Sequence, residues 1–228
     1  FVCILQSCGS IGAIQKGQNI HSLIIKDELL DQNPVISNAL LDMYAKCGML
    51  IEAREMFDDL PRKDVVSWTL FIAGCAQLGQ DDIVLNLLKK MIDKGSHPDS
   101  TTFSVVLSTC SHSGLLGKGQ ILFEMMSTHF DIIPTLEHYN CMVDLFGRAG
   151  SLSNALTIIN DMPIPANGTL WHTLLGACNK WGYDKLGKLA FEHAVKLDVN
   201  DASAYIYLSN IYATLGMQKG ASAIDYEI

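Results

Sequence analysis

The chain has 228 residues, 49% of them hydrophobic, and a formal net charge of −8. Neither part is basic (10 basic against 15 acidic residues over 1–135, 6 against 9 over 136–228), which argues against indiscriminate nucleic-acid binding. No apolar run reaches 18 residues, so no membrane-spanning helix is expected.

Along the chain, Gly12, Gly48, Gly79, Gly114, Gly150, Gly182 and Gly216 follow one another at steps of 36, 31, 35, 36, 32 and 34 residues. Each stands between an apolar run and an amphipathic run. A period in the mid-thirties is the signature of stacked helical hairpins, and the predicted fold is all-α, a right-handed α-solenoid of helix-turn-helix repeats. Eleven residues before the glycine stand Phe1, Trp68, Phe103, Tyr139, Trp171 and Tyr205, with Ser37 the exception. Five residues after it stand the small Gly17, Ala53, Gly119, Ala155, Gly187 and Ala221, with Val84 the exception. Four further on come His21, Phe57, Leu88, Phe123, Ile159, Phe191 and Asp225, mostly large and apolar, as one face of a helix requires. The turn glycine is expected to cap the first helix in a left-handed conformation. Pro34, Pro61, Pro98, Pro134, Pro163 and Pro165 fall between the predicted units.

Cys8, Cys75, Cys110 and Cys178 each lie four residues before a turn glycine and read as small packing groups one solenoid step apart, unsuited to pairing or to sharing a metal. They point to a reducing compartment. The chain begins at Phe1 part-way into a unit and reads as a piece of a longer protein, so any targeting peptide would lie upstream. Lys46, Arg148 and Lys180 stand two residues before their glycines. Such a row suits either phosphate contacts along a groove or cations favoured at helix C-termini by the dipole. Gln77 and His112 interrupt it.

NALLDMYAKCG (38–48), HYNCMVDLFGRAG (138–150), WHTLLGAC (171–178) and YLSNIYATLGM (207–217) resemble the plant organellar pentatricopeptide repeat proteins, specifically the subclass with alternating long, short and standard motifs. The likeness covers essentially the whole chain. It divides the sequence into a partial long motif (1–33), short (34–64), standard (65–99), long (100–135) and short (136–167) motifs. Two C-terminal extension motifs follow (168–201, and 202–228 cut short). Tetratricopeptide arrays share the hairpin architecture, but their period is more uniform and their Trp/Leu/Gly/Tyr pattern is absent.

The resemblance implies binding of single-stranded RNA, one base per repeat. The fifth and last residues of a motif then read the base. Asn38 with Asp64 implies U, Thr69 with Asp99 implies G, and Asn140 with Asn167 implies C, or U less strongly. Ser104 with Thr135 carries no assignment, and His172 and Ile206 do not look like base readers. Val35 and Val66 would sandwich bases, a role that Thr101 and Glu137 do not suit. Lys46, Arg148 and Lys180 would touch phosphates; three such contacts give a salt slope near roughly −2. An Asn or Thr near a helix start also suits a cap. Capping alone was not expected to explain the recurrence of Asp64, Asp99 and Asn167.

Read with the RNA 5′ end toward the N-terminus, the implied target is 5′-U-G-N-Y. In editing factors of this kind the last short motif aligns four nucleotides upstream of the edited cytidine, which puts this element at −7 to −4. The implied role is a specificity factor in organellar RNA processing, foremost C-to-U editing, in mitochondrion or chloroplast. Protein partners, editing cofactors or a deaminase in cis or in trans, would be reached through the extension. The alternatives are RNA stability, splicing or translation, or a protein-interaction scaffold. No cofactor, metal or membrane partner is expected. Zinc deaminases need His-x-Glu and Cys-x-x-Cys, and neither occurs here. The stretch GLLGKG (114–119) lacks the spacing and preceding strand of a phosphate loop. Glu137-His138 and Glu192-His193 read as solvated or packing pairs. This chain is therefore not expected to be an enzyme by itself.

Overall fold

The computed structural model describes residues 1–27, 29, 33–214 and 216. Residues 217–228, with Ala221 and Asp225 among them, lie outside the described residues. Among the described residues the chain forms thirteen α-helices and no strand. None is long and apolar enough to cross a membrane. The chain divides into two compact units, Phe1–Thr109 and the residues from Cys110 onward.

The first unit stacks the hairpins α1 (Val2–Ser10)/α2 (Ile14–Lys26), α3 (Pro34–Lys46)/α4 (Leu50–Asp59) and α5 (Val65–Gln77)/α6 (Asp81–Asp93), then enters α7 (Ser100–His112). First helices pack on first helices, α1 on α3 and α3 on α5. The second unit takes the end of α7, then α8 (Leu116–Thr128), α9 (Leu136–Arg148), α10 (Leu152–Asp161), α11 (Gly168–Trp181), α12 (Asp184–Leu197) and α13 (Ala202–Thr214). There α9 packs on α11 and α11 on α13. Pro34 opens α3 at its first position, where its missing N–H costs nothing.

The two helices of a hairpin are bounded by different chemistry. All seven turn glycines have φ between +66° and +77°. At Gly48 the backbone closes a Schellman motif, with Gly48 N–H donating to the Ala45 carbonyl (3.0 Å) and Met49 N–H to Tyr44 (2.9 Å). A side chain at that φ is strained, so glycine marks each turn in the sequence. First helices begin instead on polar caps. Asn33, Asp64 and Asn167 accept backbone N–H bonds from Val35, Ser67 and Leu170 at 3.0, 2.8 and 3.1 Å. Each cap of this kind stabilises by about 0.5–2 kcal/mol.

Leu40, Leu41, Met43, Phe103, Leu107 and Leu145 are fully enclosed, and Trp68, Tyr139 and Trp171 are buried at the aromatic position. Ser37, at the same position, is buried too. In the first unit Phe57 meets Trp68 edge-on (4.8 Å) and stacks on Phe71 (5.0 Å). In the second, Trp171 stacks on His193 (4.1 Å), so that histidine is a packing group. His138 is fully buried and forms a reciprocal capping box with Thr135. The small positions admit close approach. A Cβ on Gly17 would lie 2.5 Å from Met43 Sδ, one on Gly119 2.4 Å from Leu145 Cδ2, and one on Gly187 2.6 Å from Ile211 Cδ1. Gly117 and Gly119 are residues of α8, which accounts for the GLLGKG stretch.

Cys8, Cys75, Cys110 and Cys178 are buried as expected. Burial pushes the Cys178 thiol up to about 12 and raises that of Cys75. The sulfur of Cys47 lies 3.8 Å from the Cys8 carbonyl oxygen. Thiolate character sets reactivity, so a maleimide at neutral pH should label the exposed Cys3 first and Cys178 only on unfolding. Mass mapping checks the order.

His21 Nδ1 lies 2.8 Å from the Tyr44 hydroxyl, and burial lowers its pKa from 6.5. A depressed folded-state value contributes stability that is present above 6.5 and is lost as pH falls through the folded value. The melting temperature should fall from pH 7 toward pH 5, and His21→Gln should flatten that dependence.

Candidate nucleic-acid interface

The expected base-reading residues occupy one register of the first helices. Asp64, Asp99 and Asn167 stand at the N-terminal boundaries of α5, α7 and α11, where each accepts from the backbone N–H three residues on. Capping therefore does explain why they recur at unit ends: the last residue of one unit caps the first helix of the next. Each uses Oδ1 for the cap. The second oxygen of Asp64 and Asp99 and the amide nitrogen of Asn167 have no partner among the described residues, and all three residues are exposed. A capping residue can thus still present a polar atom to a ligand.

Two residues beyond the caps of α3 and α5 lie Val35 and Val66, 60% and 50% exposed. Three further on, on the same helix face, lie Asn38 and Thr69. Asn38 is half-buried, and its amide has no hydrogen-bond partner among the described residues. Asn140 is also half-buried, with its Oδ1 2.8 Å from the Thr173 hydroxyl. That hydroxyl lies 2.9 Å from the Thr169 carbonyl as well, and its single hydrogen serves one of the two at a time.

Thr69 differs. It is only 8% exposed, and its hydroxyl sits 2.7 Å from that of Thr102. Thr102 donates to Asp99 Oδ1 at 2.8 Å, so the Thr69 hydrogen is committed to Thr102. The expected open hydroxyl is absent, because Thr102, brought in 33 residues later by α7, occupies it. Thr69 and Thr102 instead hold the Asp99 carboxylate in place. Ser104 is likewise buried.

The expected cations are exposed and close their helices, as the dipole favours. Two are already paired. Lys46 Nζ is 2.7 Å from Asp42, and Arg148 Nε is 2.8 Å from Asp144, whose Oδ2 also accepts from the buried Ser111 at 2.6 Å. The i, i+4 spacing of Asp42/Lys46 and Asp144/Arg148 was readable in the sequence. Lys180 has no carboxylate partner among the described residues; it lies 5.1 Å over the Trp181 ring and 3.5 Å from the Arg148 carbonyl oxygen. Trp181 is itself anchored to the Gly147 carbonyl through Nε1 at 2.8 Å.

Neither the contact of His172 with Asp201 nor the thread through Thr102 was foreseen. His172 Nε2 bonds directly to Asp201 Oδ2, while Asp201 Oδ1 caps α13 through Ala204 N–H at 3.1 Å. His172 and Asp201 are thus joined side chain to side chain, as Thr69 and Asp99 are through Thr102.

A model of the PPR repeat family matches residues 63–112, and a PPR repeat model matches 35–65 and 137–163. The chain is similar to the chloroplastic pentatricopeptide repeat-containing protein At3g49170 of Arabidopsis thaliana (43% identical over 216 residues, 95% of this chain and 25% of the relative). It is similar to At4g33990 of the same plant (40% over 224 residues, 98% and 27%), and to the putative mitochondrial protein At3g11460 (40% over 219 residues, 96% and 35%). It spans about a quarter to a third of these relatives' length. Among solved structures it is similar to maize PPR10 (TM-score 0.74, 21% identity, 99% of this chain and 33% of that one). It also matches PPR10 in complex with an 18-nt psaJ RNA element (TM-score 0.80, 19%, 98% and 33%), a likeness of fold. Repeat models over 35–112 and 137–163, together with plant relatives at 40–43% identity along nearly the whole chain, make this chain a member of the pentatricopeptide repeat family.

Proposed function

We propose that this chain binds single-stranded RNA, one base per repeat, as a specificity factor in organellar RNA processing, foremost C-to-U editing. The observation that carries the reading is the shared register of Asn38 and Asn140 with cap residues that keep one polar atom unengaged. An amide or carboxylate at such a place matches the donor–acceptor pattern of a base edge. Further support comes from a fold neighbour solved with RNA and from relatives named chloroplastic or mitochondrial.

Asn38 with Asp64 then takes U, and Asn140 with Asn167 takes C or U. At the second base the Asp99 carboxylate reads guanine, with Thr69 and Thr102 positioning it. Val35 and Val66 flank bases. The motif types, from the partial long motif at 1–33 to the extension motifs over 168–228, belong to the same proposal, as does a protein partner such as a deaminase or editing cofactor.

A mobility-shift titration tests the assignment. At about 1–3 kcal/mol per stacked and read base, RNA carrying 5′-U-G-N-Y should bind at least ~100-fold more tightly than a scrambled sequence, and equal binding would refute it. With Lys46 and Arg148 already neutralised, the slope of log affinity against log salt should be near about −1, shallower than three free cations would give. A slope of about −2 or steeper would show that both cations leave their carboxylates for phosphate.

A further inference from the structure

The hollow between the N-terminal ends of α11 and α13 contains His172, Thr169, Thr173, Asp201 and Tyr207. We infer that this hollow is a fifth nucleotide site, selective for guanine, one repeat step beyond the Asn140 site. The inference rests on the RNA-binding reading above and extends it into a segment whose sequence did not suggest a base reader.

Three observations converge. The hollow adjoins the Asn140 position directly, because Thr173 lines it and also contacts Asn140 Oδ1 at 2.8 Å. A strand whose base sits at Asn140 therefore has its next nucleotide at this opening. The carboxylate is held at both oxygens, Oδ1 by Ala204 N–H and Oδ2 by His172 Nε2, and each oxygen keeps a second lone pair with which to accept from a base. Its side chain stays partly exposed at 12%, and that of His172 at 32%. Finally, Tyr207 contributes an aromatic residue to the lining.

The donor pattern selects the base. A carboxylate only accepts hydrogen bonds. Guanine alone presents two adjacent donors on its Watson–Crick edge, N1–H and the N2 amino group. Adenine and cytosine set one amino group beside an acceptor nitrogen, and uracil sets one imino N–H between two carbonyls. Each of those three brings an acceptor against the carboxylate, which leaves a lone pair facing a charge. Asp198, also lining the hollow, disfavours a phosphate there, so the base edge rather than the backbone faces inward. Asp201 is the base-reading residue in this scheme and His172 a positioning residue.

The test is a titration of the full chain with four RNAs, 5′-U-G-A-C-X with constant flanks, where X is each nucleotide in turn. Guanine at X should bind about tenfold more tightly than the other three, in keeping with loss of one or two hydrogen bonds to a charged group. Asp201→Asn keeps the α13 cap, since Asn caps as well as Asp, and should abolish the preference at X while leaving that at the first two bases. His172→Phe should weaken the preference without shifting it to another base. Equal affinity for all four nucleotides at X, with dependence on U-G-N-Y retained, overturns the guanine site and leaves the hollow to a protein partner. Loss of sequence dependence at every position overturns the RNA-binding reading itself. Thermal melts of each variant exclude unfolding as the cause.

Discussion

Gly74→Val should destabilise the first unit by about 3 kcal/mol, in the range for overpacking a tight helix contact. Gly74 lies on α5 where it crosses α3, and a Cβ built on it would fall 2.6 Å from the Ala45 Cβ and 3.4 Å from the Ala45 Cα. The Cα is helix backbone and the Cβ is bonded directly to it, so no flexible side chain can swing aside to absorb the overlap. Glycine costs an exposed helix interior about 1 kcal/mol relative to alanine, and close packing against α3 offsets that here. Ala45→Gly in the Gly74→Val background should recover about half of the loss. Urea melts of the two single variants and the double variant form the cycle; additivity would show that the helices do not meet at this point. The second unit has the same device at Gly147, whose added Cβ would lie 2.8 Å from Ala177 Cβ.

These crossings were not legible in the sequence, and the reason is geometric. Gly74 precedes its turn glycine by five residues and Gly147 precedes its own by three, so the repeat period does not align them. What was legible is what one residue alone can supply. A left-handed turn excludes side chains, and Gly12, Gly48 and Gly150 therefore stand out at their spacing. The small Gly17, Gly119 and Gly187 were likewise visible because each keeps one distance from its turn. The candidate site was half legible. Asn38 and Asn140 sit at the expected register and are accessible, but the burial of Thr69 depends on Thr102, which belongs to the following helix. The capping role of Asp64, Asp99 and Asn167 was missed because the unit boundary, drawn one residue after each, separates the cap from the helix it starts.

Replacing Asn38 and Asn140 together with alanine should weaken binding to 5′-U-G-N-Y RNA by at least ~30-fold, from two lost base contacts at about 1–3 kcal/mol each. Stability should change little. The Asn38 amide has no partner to lose among the described residues, and partly exposed substitutions of this kind stay near ±0.5 kcal/mol. Asn140 surrenders one contact with the Thr173 hydroxyl, worth about 1 kcal/mol. Lost RNA binding with an unchanged melt separates base reading from a scaffold role. Retained binding would favour the scaffold and remove Asn38 and Asn140 from the interface.

Loss of affinity alone has many causes; exchange of one preferred base for another has few. Asn38→Thr combined with Ser67→Thr leaves the Asp64 cap on the backbone N–H of residue 67 and recreates the Thr/Thr/Asp set found at 69, 102 and 99. Measured against RNAs that differ only at the first of the four nucleotides, this variant should prefer guanine where the parent prefers uracil, with preferences elsewhere unchanged. A variant that still selects uracil, or selects nothing while binding as tightly as before, would contradict a one-base-per-repeat reading by this register of first-helix residues.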